Sequence, residues 1–421
     1  MTATTLPPPR IATLDILRGI AVMGIFSVNV IGFAMPMAAY FNPTAYGFES
    51  GADLALWATN FVLVDGKMRG LFSLLFGASM LLVIERAEVG GRSGASVHYR
   101  RMLWLLLFGA VHYYLIWFGD ILTLYAALGM VAFLFRKRSV RTLLIWAGAF
   151  LLIDLALLSA GSYAFISAEA AAHAPGASAA AVRAWTEMSS EFAPPTAHAL
   201  AADLALYRSG YGGLVMHRLT DQGAGPLFQL LFGSAETLGY MLIGMAGLKS
   251  GFLKGEWEDR RYRRIAAITL GIAIPAYMVL GWLDWRSGFS VATIFTSFMA
   301  ASAPFRVMMM IGYAALIILL TRRGGALVER IAAAGRAAFT NYLGTSLLAS
   351  TVFYGYGLGL YGQLGRLEAW LLAPLVWAMM LLWSKPWLER FQYGPFEWVW
   401  RSLARWKRQP MRRPPEPALA A

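Results

Sequence analysis

A single histidine stands inside an apolar run. His112 falls within Leu107-Phe108-Gly109-Ala110-Val111-His112-Tyr113-Tyr114, a segment that reads as the outer half of a membrane span. Imidazole titrates near neutrality and is the usual general base for activating a hydroxyl or an amine. The first apolar run, 11–33, carries Asn29 in its own outer half. An amide at that depth can position an acceptor or stabilise an oxyanion beside such a base. The competing role for His112 is a hydrogen bond between helices with no part in chemistry. Towards the inner end of the first run stand Asp15 and Arg18. Ionised groups in a spanning helix cost about 2.5 kcal/mol or more each, so they face a partner or a wet cavity. At i,i+3 the two meet on one helix face, and Asn29, eleven residues beyond Arg18, returns to that face after about three turns. The structural alternative is that Arg18 ties helices together or snorkels to headgroups.

Further polar residues sit where an apolar chain has no ordinary use for them. Asp65-Gly66-Lys67-Met68-Arg69-Gly70 enters the second span from outside. Lys67 and Arg69 there bind an anionic group or pair with Asp65 and Asp120, with lipid headgroups as the alternative partner. Asp120 follows His112 by eight residues, roughly 12 Å along a helix. That separation keeps it from orienting the imidazole unless the helix ends early, and leaves it to cap the next helix or to touch substrate. Glu236, mid-span between Ser234 and Thr237, is the costliest to leave unpaired. Asp154 and the Asn341-Tyr342 pair are further buried polar sites, each also able simply to hold helices together, and Arg306, just after Pro304, reads as interfacial. In Tyr393-Gly394-Pro395-Phe396-Glu397-Trp398-Val399-Trp400-Arg401, Pro395 opens a short helix with Glu397 in its first turn. The chain has no P-loop, no GxSxG elbow and no HExxH. It has no cysteine, and its five histidines show no metal-ligand spacing, so no metal is expected.

These side chains need a scaffold of membrane helices. Hydrophobic residues make up 58% of the 421 and charged residues 14%, with a mean hydropathy of +0.56; soluble domains carry about a quarter charged residues. The expected class is all-α, a polytopic integral membrane helix bundle. Ten spans are expected, at about 11–33, 70–85, 102–119, 121–135, 142–161, 226–248, 265–283, 303–321, 337–357 and 367–384. The segment 54–64 before the second reads as an interfacial helix. The first run is too long for a signal-peptide core and is expected to be retained. The net charge of +13 is carried by clusters in alternate connections, such as Arg86 to Arg101, Arg136 to Arg141, Arg260 to Arg264 and Arg322 to Arg336. The opposite connections are poor in cations. This asymmetry is that of cytoplasmic loops rather than of a nucleic-acid surface, and it puts both termini in the cytoplasm. The expected organisation is a cytoplasmic N-terminus over 1–10, a first bundle over 11–161, one or two extracytoplasmic surface helices over 162–225, a second bundle over 226–390 and a basic cytoplasmic tail over 391–421.

Together these motifs resemble the YeiB family of bacterial inner-membrane proteins, a family of unknown function. The resemblance covers nearly the whole chain. It rests on Leu14-Asp15-x-x-Arg18-Gly19, on Asp65-Gly66-Lys67-x-Arg69 with Leu71-Phe72-Ser73-Leu74-Leu75-Phe76-Gly77, and on His112 followed by Gly119-Asp120-Ile121-Leu122. Thr340-Asn341-Tyr342-Leu343 and Gly394-Pro395-x-Glu397-Trp398-x-x-Arg401 complete it. The opening motif is also similar to that of heparan-α-glucosaminide N-acetyltransferase and of the membrane polysaccharide O-acyltransferases. Those enzymes take an acyl group from cytoplasmic coenzyme A and deliver it to a sugar on the far side. By that likeness Arg18 matches the first-helix arginine and Asn29 an asparagine of the glucosaminide enzyme, whose active histidine follows soon after; this chain has Tyr40 and no histidine in that stretch.

The resemblance implies a membrane acyltransferase in the bacterial inner membrane, with acyl-coenzyme A as co-substrate and a hydroxyl or amine acceptor at the extracytoplasmic side. His112 then serves as base and Asn29 as positioning or oxyanion group. Asp15, Arg18, Lys67, Arg69, Asp120, Glu236 and Asn341 are the candidate binding residues. The rival expectation is a transporter or exporter of a small polar solute that uses the same buried charges as a relay. Expected partners are membrane lipids, an acyl donor and a small-molecule or glycan acceptor; nucleic acid is not expected. The oligomeric state is open, a homodimer being one possibility.

Overall fold

The structure, a computed structural model, describes residues 11–413. The expectations for residues 1–10 and for the end of the basic tail lie outside the described residues. What is described is helical throughout, apart from one isolated antiparallel bridge between Phe391 and Arg412. The principal helices are α1 (Ala12–Ala34), α2 (Gly51–Thr59), α3 (Lys67–Val89), α4 (Gly94–Val111), α5 (Leu122–Ala132), α6 (Val140–Ala172), α7 (Gly225–Lys249), α8 (Asp259–Arg286), α9 (Ala303–Thr321), α10 (Ala326–Arg336), α11 (Ala338–Phe353), α12 (Leu372–Arg390) and α13 (Pro395–Arg405).

Among the described residues, seven helical stretches are long and apolar enough to cross a membrane: Ala12–Ala34, Gly51–Val89, Val140–Ala172, Gly225–Lys249, Asp259–Arg286, Ala303–Thr321 and Arg366–Arg390. Three of the ten expected spans fall on helices outside this set. They are α4, which carries Arg100 and Arg101 in its second turn, α5, which is short, and α11, which is rich in hydroxyl and amide side chains. The segment 54–64 forms most of α2 and a π turn over Asn60–Val64, and is set off from α3 by extended Asp65 and by Gly66 at φ 71°.

Burial divides the helices into centre and rim. In α1, 67% of the most apolar window is buried, against 17% in α6 and in α8. The exposed Leu152, Ile153 and Leu157 of α6 and Met278 and Val279 of α8 form the apolar surface that lipid requires of outer helices. The core draws on both halves of the chain: Leu17 of α1, Leu74 of α3, Met241 of α7 and Ala314 of α9 belong to one buried cluster. The crossing of α3 and α7 depends on two glycines. A Cβ on Gly77 would lie 2.1 Å from the Met241 carbonyl oxygen, and one on Gly244 would lie 1.8 Å from that of Leu74. Small residues of this kind let membrane helices pack backbone to backbone.

The segment 162–225 holds more helices than the one or two expected there. Helix α6 runs on to Ala172, and three further helices follow, at Ala179–Ser189, Ala197–Tyr207 and Tyr211–Thr220. At the opposite end, Glu397 does more than open its own helix. Its carboxylate accepts from the backbone N–H groups of Phe339 (2.7 Å) and Thr340 (3.1 Å), and so caps the N-terminus of α11.

Candidate functional site

The close crossing of α3 and α7 brings Arg69 to Glu236. The Arg69 Nη2 donates to Glu236 Oε2 at 2.6 Å, and the Tyr240 hydroxyl, one turn further along α7, donates to Oε1 at 2.9 Å. A second cation closes the group: Arg306 Nε lies 2.9 Å from Glu236 Oε1 as an ion pair without hydrogen-bond alignment. The remaining guanidinium nitrogens of Arg306 donate to the carbonyls of Phe298 (3.0 Å) and Met299 (3.1 Å), which the π turn Ser297–Ala301 supplies. Arg306 is therefore a buried partner of Glu236 and not an interfacial residue. Its sequence signal was indirect, since a carboxylate at mid-span demands a cation somewhere.

This ion group forms one wall of a cavity of about 430 Å³, a volume suited to a small-molecule ligand. Asn29 of α1, Asp154 of α6, Asp120 and Tyr342 line its other sides, together with Tyr40 and Asp65. The Tyr40 hydroxyl donates to Asp65 Oδ1 in a short hydrogen bond. Burial first, and then the adjacent Asp65 carboxylate, hold the Tyr40 hydroxyl well above its ordinary range, so it remains a donor at neutral pH. Asp65 thus pairs with Tyr40.

At the Asp120 wall the chain departs from the expected geometry. A continuous helix would separate His112 and Asp120 by two turns. Instead α4 ends in a π turn over His112–Ile116, and Trp117 follows in extended conformation (φ −159°, ψ 134°). The chain doubles back, and His112 Nδ1 lies 3.0 Å from Asp120 Oδ1. The other carboxylate oxygen accepts from the Thr123 N–H at 2.8 Å and so caps the start of α5. Asp120 thus caps a helix, one of its two expected roles, and also orients the imidazole, which its spacing from His112 argues against unless the helix ends early. Gly109 makes room for this turn, since a Cβ there would lie 2.5 Å from the Thr123 nitrogen and 3.0 Å from Asp120 Oδ2. With Nδ1–H donated to a carboxylate, Nε2 carries the basic lone pair. Nε2 is buried without a hydrogen-bond partner.

His112 does not itself line the cavity. Its ring is fully buried, packed against Tyr342 (centroids 5.1 Å apart) and Trp117 (6.5 Å), which do. The imidazole therefore stands one layer behind the wall, with Asp120 as its link to the cavity.

The remaining candidates lie elsewhere. Asp15 and Arg18 pair at 3.1 Å as their spacing requires, and Arg18 also donates to Ser79 Oγ at 2.6 Å and to the Gly335 carbonyl at 3.4 Å. That arrangement ties α1 to α3 and α10. The Asn341 amide is engaged by the Ala334 carbonyl (3.0 Å), Ser384 (3.4 Å) and the Trp383 indole N–H (2.9 Å), and joins α10, α11 and α12. Lys67 is turned away from the outer mouth. Its ammonium donates to the Phe61 carbonyl and sits 3.2 Å from the centroid of the Tyr277 ring, a cation–π contact that substitutes for a counter-ion. None of these four lines the cavity. Among the described residues no three His, Cys, Asp or Glu side chains gather as a metal-ligand set.

Comparison with known proteins agrees with the resemblance in the motifs. The model of a family described as "Protein of unknown function (DUF418)" matches residues 247–407. The chain is 34% identical to the Escherichia coli K12 protein described as "Uncharacterized protein YeiB", over 94% of this chain and 96% of that one. It is 32% identical to "Uncharacterized protein YxaH" of Bacillus subtilis strain 168, over 97% of both chains. A protein of Bacillus acidopullulyticus, "Uncharacterized 39.9 kDa protein in amylase 3'region", is 24% identical over 94% of this chain and 93% of its own. No solved structure matches.

Proposed function

The chain belongs to the YeiB/DUF418 family of membrane proteins of unknown function, and from that premise we propose that it is a membrane acyltransferase of the bacterial inner membrane. In this reading α4, α5 and α11 also cross the bilayer, giving ten spans with both termini inside. Acyl-coenzyme A is the co-substrate, and the acceptor is a hydroxyl or amine that enters the cavity from the extracytoplasmic side. The observation that carries the proposal is that Asn29 and Asp120 line one internal cavity, with His112 held by Asp120 one layer behind its wall.

The chemistry follows from the tautomer. Asp120 holds the Nδ1–H of His112, leaving Nε2 to take the acceptor's proton while the acceptor oxygen or nitrogen bonds to the thioester carbonyl carbon. The carbonyl oxygen becomes negative and is met by the Asn29 amide. The carbon–sulfur bond then breaks, and coenzyme A leaves as the thiol, with the proton returned from the imidazole. Because the Trp117 and Tyr342 rings cover His112, these two side chains must move aside when the donor and acceptor bind. The Arg69–Glu236–Arg306 group shapes the acceptor side of the cavity and offers it both charges.

That ion group also favours a second reading, a transporter of a small polar solute, because buried and paired charges facing a cavity are what a solute or proton pathway requires. One experiment separates the two. Purified protein is given acetyl-coenzyme A and a panel of sugar and amine acceptors, and free thiol is measured. The chain contributes no thiol of its own. Acceptor-dependent thiol release that vanishes in His112→Ala supports transfer. Solute flux into proteoliposomes without donor, and without thiol release, supports transport.

A further inference from the structure

At the end of the bundle opposite the outer helices there is a second cavity, of about 600 Å³. Two regions distant in sequence build it, the α3–α4 corner and the segment from α13 onward. The end of α3 and its turn contribute Arg86 and Arg92, α4 contributes Arg100 and Arg101, and α13 contributes Arg401 and Arg405; two further cations follow in the segment after α13. Among the described residues no carboxylate lines it. Glu85 and Glu88, on the same helix as Arg86, are exposed and outside the lining.

A cytoplasmic excess of cations follows from topology alone. Their convergence does not. Elsewhere on this face several cations have acidic partners close by: Arg322 pairs with Asp259, Lys385 with Glu329 at 2.6 Å and Lys254 with Glu256 at 3.7 Å. Here like charges are gathered into a concavity. Arg101 lies deepest, with its guanidinium 4.1 Å from the centroid of the Trp400 ring and its carbonyl accepting from the Trp400 indole N–H at 3.0 Å. A concave site with one sign of charge focuses its field and concentrates counter-ions. Guanidinium groups meet phosphate oxygens in a bidentate fork. The volume exceeds what a single inorganic phosphate would occupy and falls in the range of small-molecule sites.

We propose that this cavity binds several phosphate groups at once, presented either by one soluble polyphosphorylated molecule or by neighbouring anionic lipid headgroups. The site lies apart from the cavity between α1, α3 and α7, and the inference stands whether or not acyl transfer is the activity.

The test uses the full-length protein in a neutral detergent, with inorganic tripolyphosphate titrated calorimetrically and phosphatidylglycerol binding followed by native mass spectrometry. Arg86→Gln/Arg92→Gln removes two exposed cations without touching the half-buried Arg101. It is expected to weaken saturable binding by about tenfold or more, as loss of charge-assisted contacts should. Arg86→Lys/Arg92→Lys is expected to retain most of the binding, and Arg286→Gln, on the outer side, all of it. Tripolyphosphate binding lost in the glutamine variant identifies a soluble ligand. Phosphatidylglycerol retention lost in that variant, with no response to tripolyphosphate, identifies a lipid. Absence of saturable binding of either probe, or binding equal in wild type and the glutamine variant, overturns the proposal.

Discussion

Glu236→Ala is the perturbation that the buried ion group answers most directly. The carboxylate holds Arg69 at 2.6 Å and Arg306 at 2.9 Å and accepts from the Tyr240 hydroxyl at 2.9 Å. Its removal leaves two cations in the bundle with no carboxylate in contact. Removing one partner of a buried pair costs about 3–5 kcal/mol, because the remaining charge is left desolvated. The side chain of Arg306 is only 9% exposed and carries the full penalty, whereas that of Arg69 is 33% exposed and recovers part of its hydration from the cavity. The lower end, about 3 kcal/mol, is therefore expected, a large part of a typical folding free energy of about 5–15 kcal/mol. The assay is thermal unfolding in one fixed detergent, followed by far-ultraviolet circular dichroism. Glu236→Ala should melt well below wild type, and Glu236→Gln, which keeps an acceptor for Tyr240, should fall between them. In Glu236→Ala/Arg306→Met one uncompensated charge is gone, so the double variant should be more stable than additivity allows, by about 1 kcal/mol or more. A Glu236→Ala protein that melts with wild type, or a strictly additive double variant, would refute the pairing.

Two further outcomes follow from the packing and the topology. Gly244→Ala places a methyl 1.8 Å from the Leu74 carbonyl, so α3 and α7 must separate; a loss of about 1–3 kcal/mol is expected, and Glu236→Ala should cost less in that background because Arg69 has already been drawn away. The absence of cysteine allows single-cysteine labelling: Arg286→Cys should react with an impermeant maleimide in intact spheroplasts and Arg323→Cys only after permeabilisation, and the opposite pattern would reverse the orientation.

Local rules were enough for much of this architecture. The long apolar runs gave the central helices, because hydropathy and length alone decide what can cross a bilayer. The Asp15–Arg18 contact follows from i,i+3 geometry and is present at 3.1 Å. What depended on tertiary contacts was not legible. Nothing in His112-Tyr113-Tyr114-Leu115-Ile116 breaks a helix, as it contains neither glycine nor proline; the π turn there is accompanied by the bond between His112 and Asp120 that only the folded chain provides. Arg306 stands at a helix start behind Pro304, where an arginine ordinarily meets headgroups, and its partner Glu236 lies 70 residues away. Lys67 was drawn to the mouth by its acidic neighbour Asp65. The packing of α8 put the Tyr277 ring beneath it instead, and Asp65 was taken by Tyr40.

The central claim is that the internal cavity passes an acyl group from one side of the membrane to the other. The most direct measurement encloses radiolabelled acetyl-coenzyme A inside proteoliposomes of uniform orientation, cytoplasmic face inward, with the acceptor panel outside. Label should then appear covalently on an external acceptor, at a rate abolished by His112→Ala and strongly reduced by Asp120→Asn, with both variants retaining the wild-type circular dichroism spectrum. Label that never leaves the lumen, or transfer that persists unchanged in His112→Ala, would contradict it.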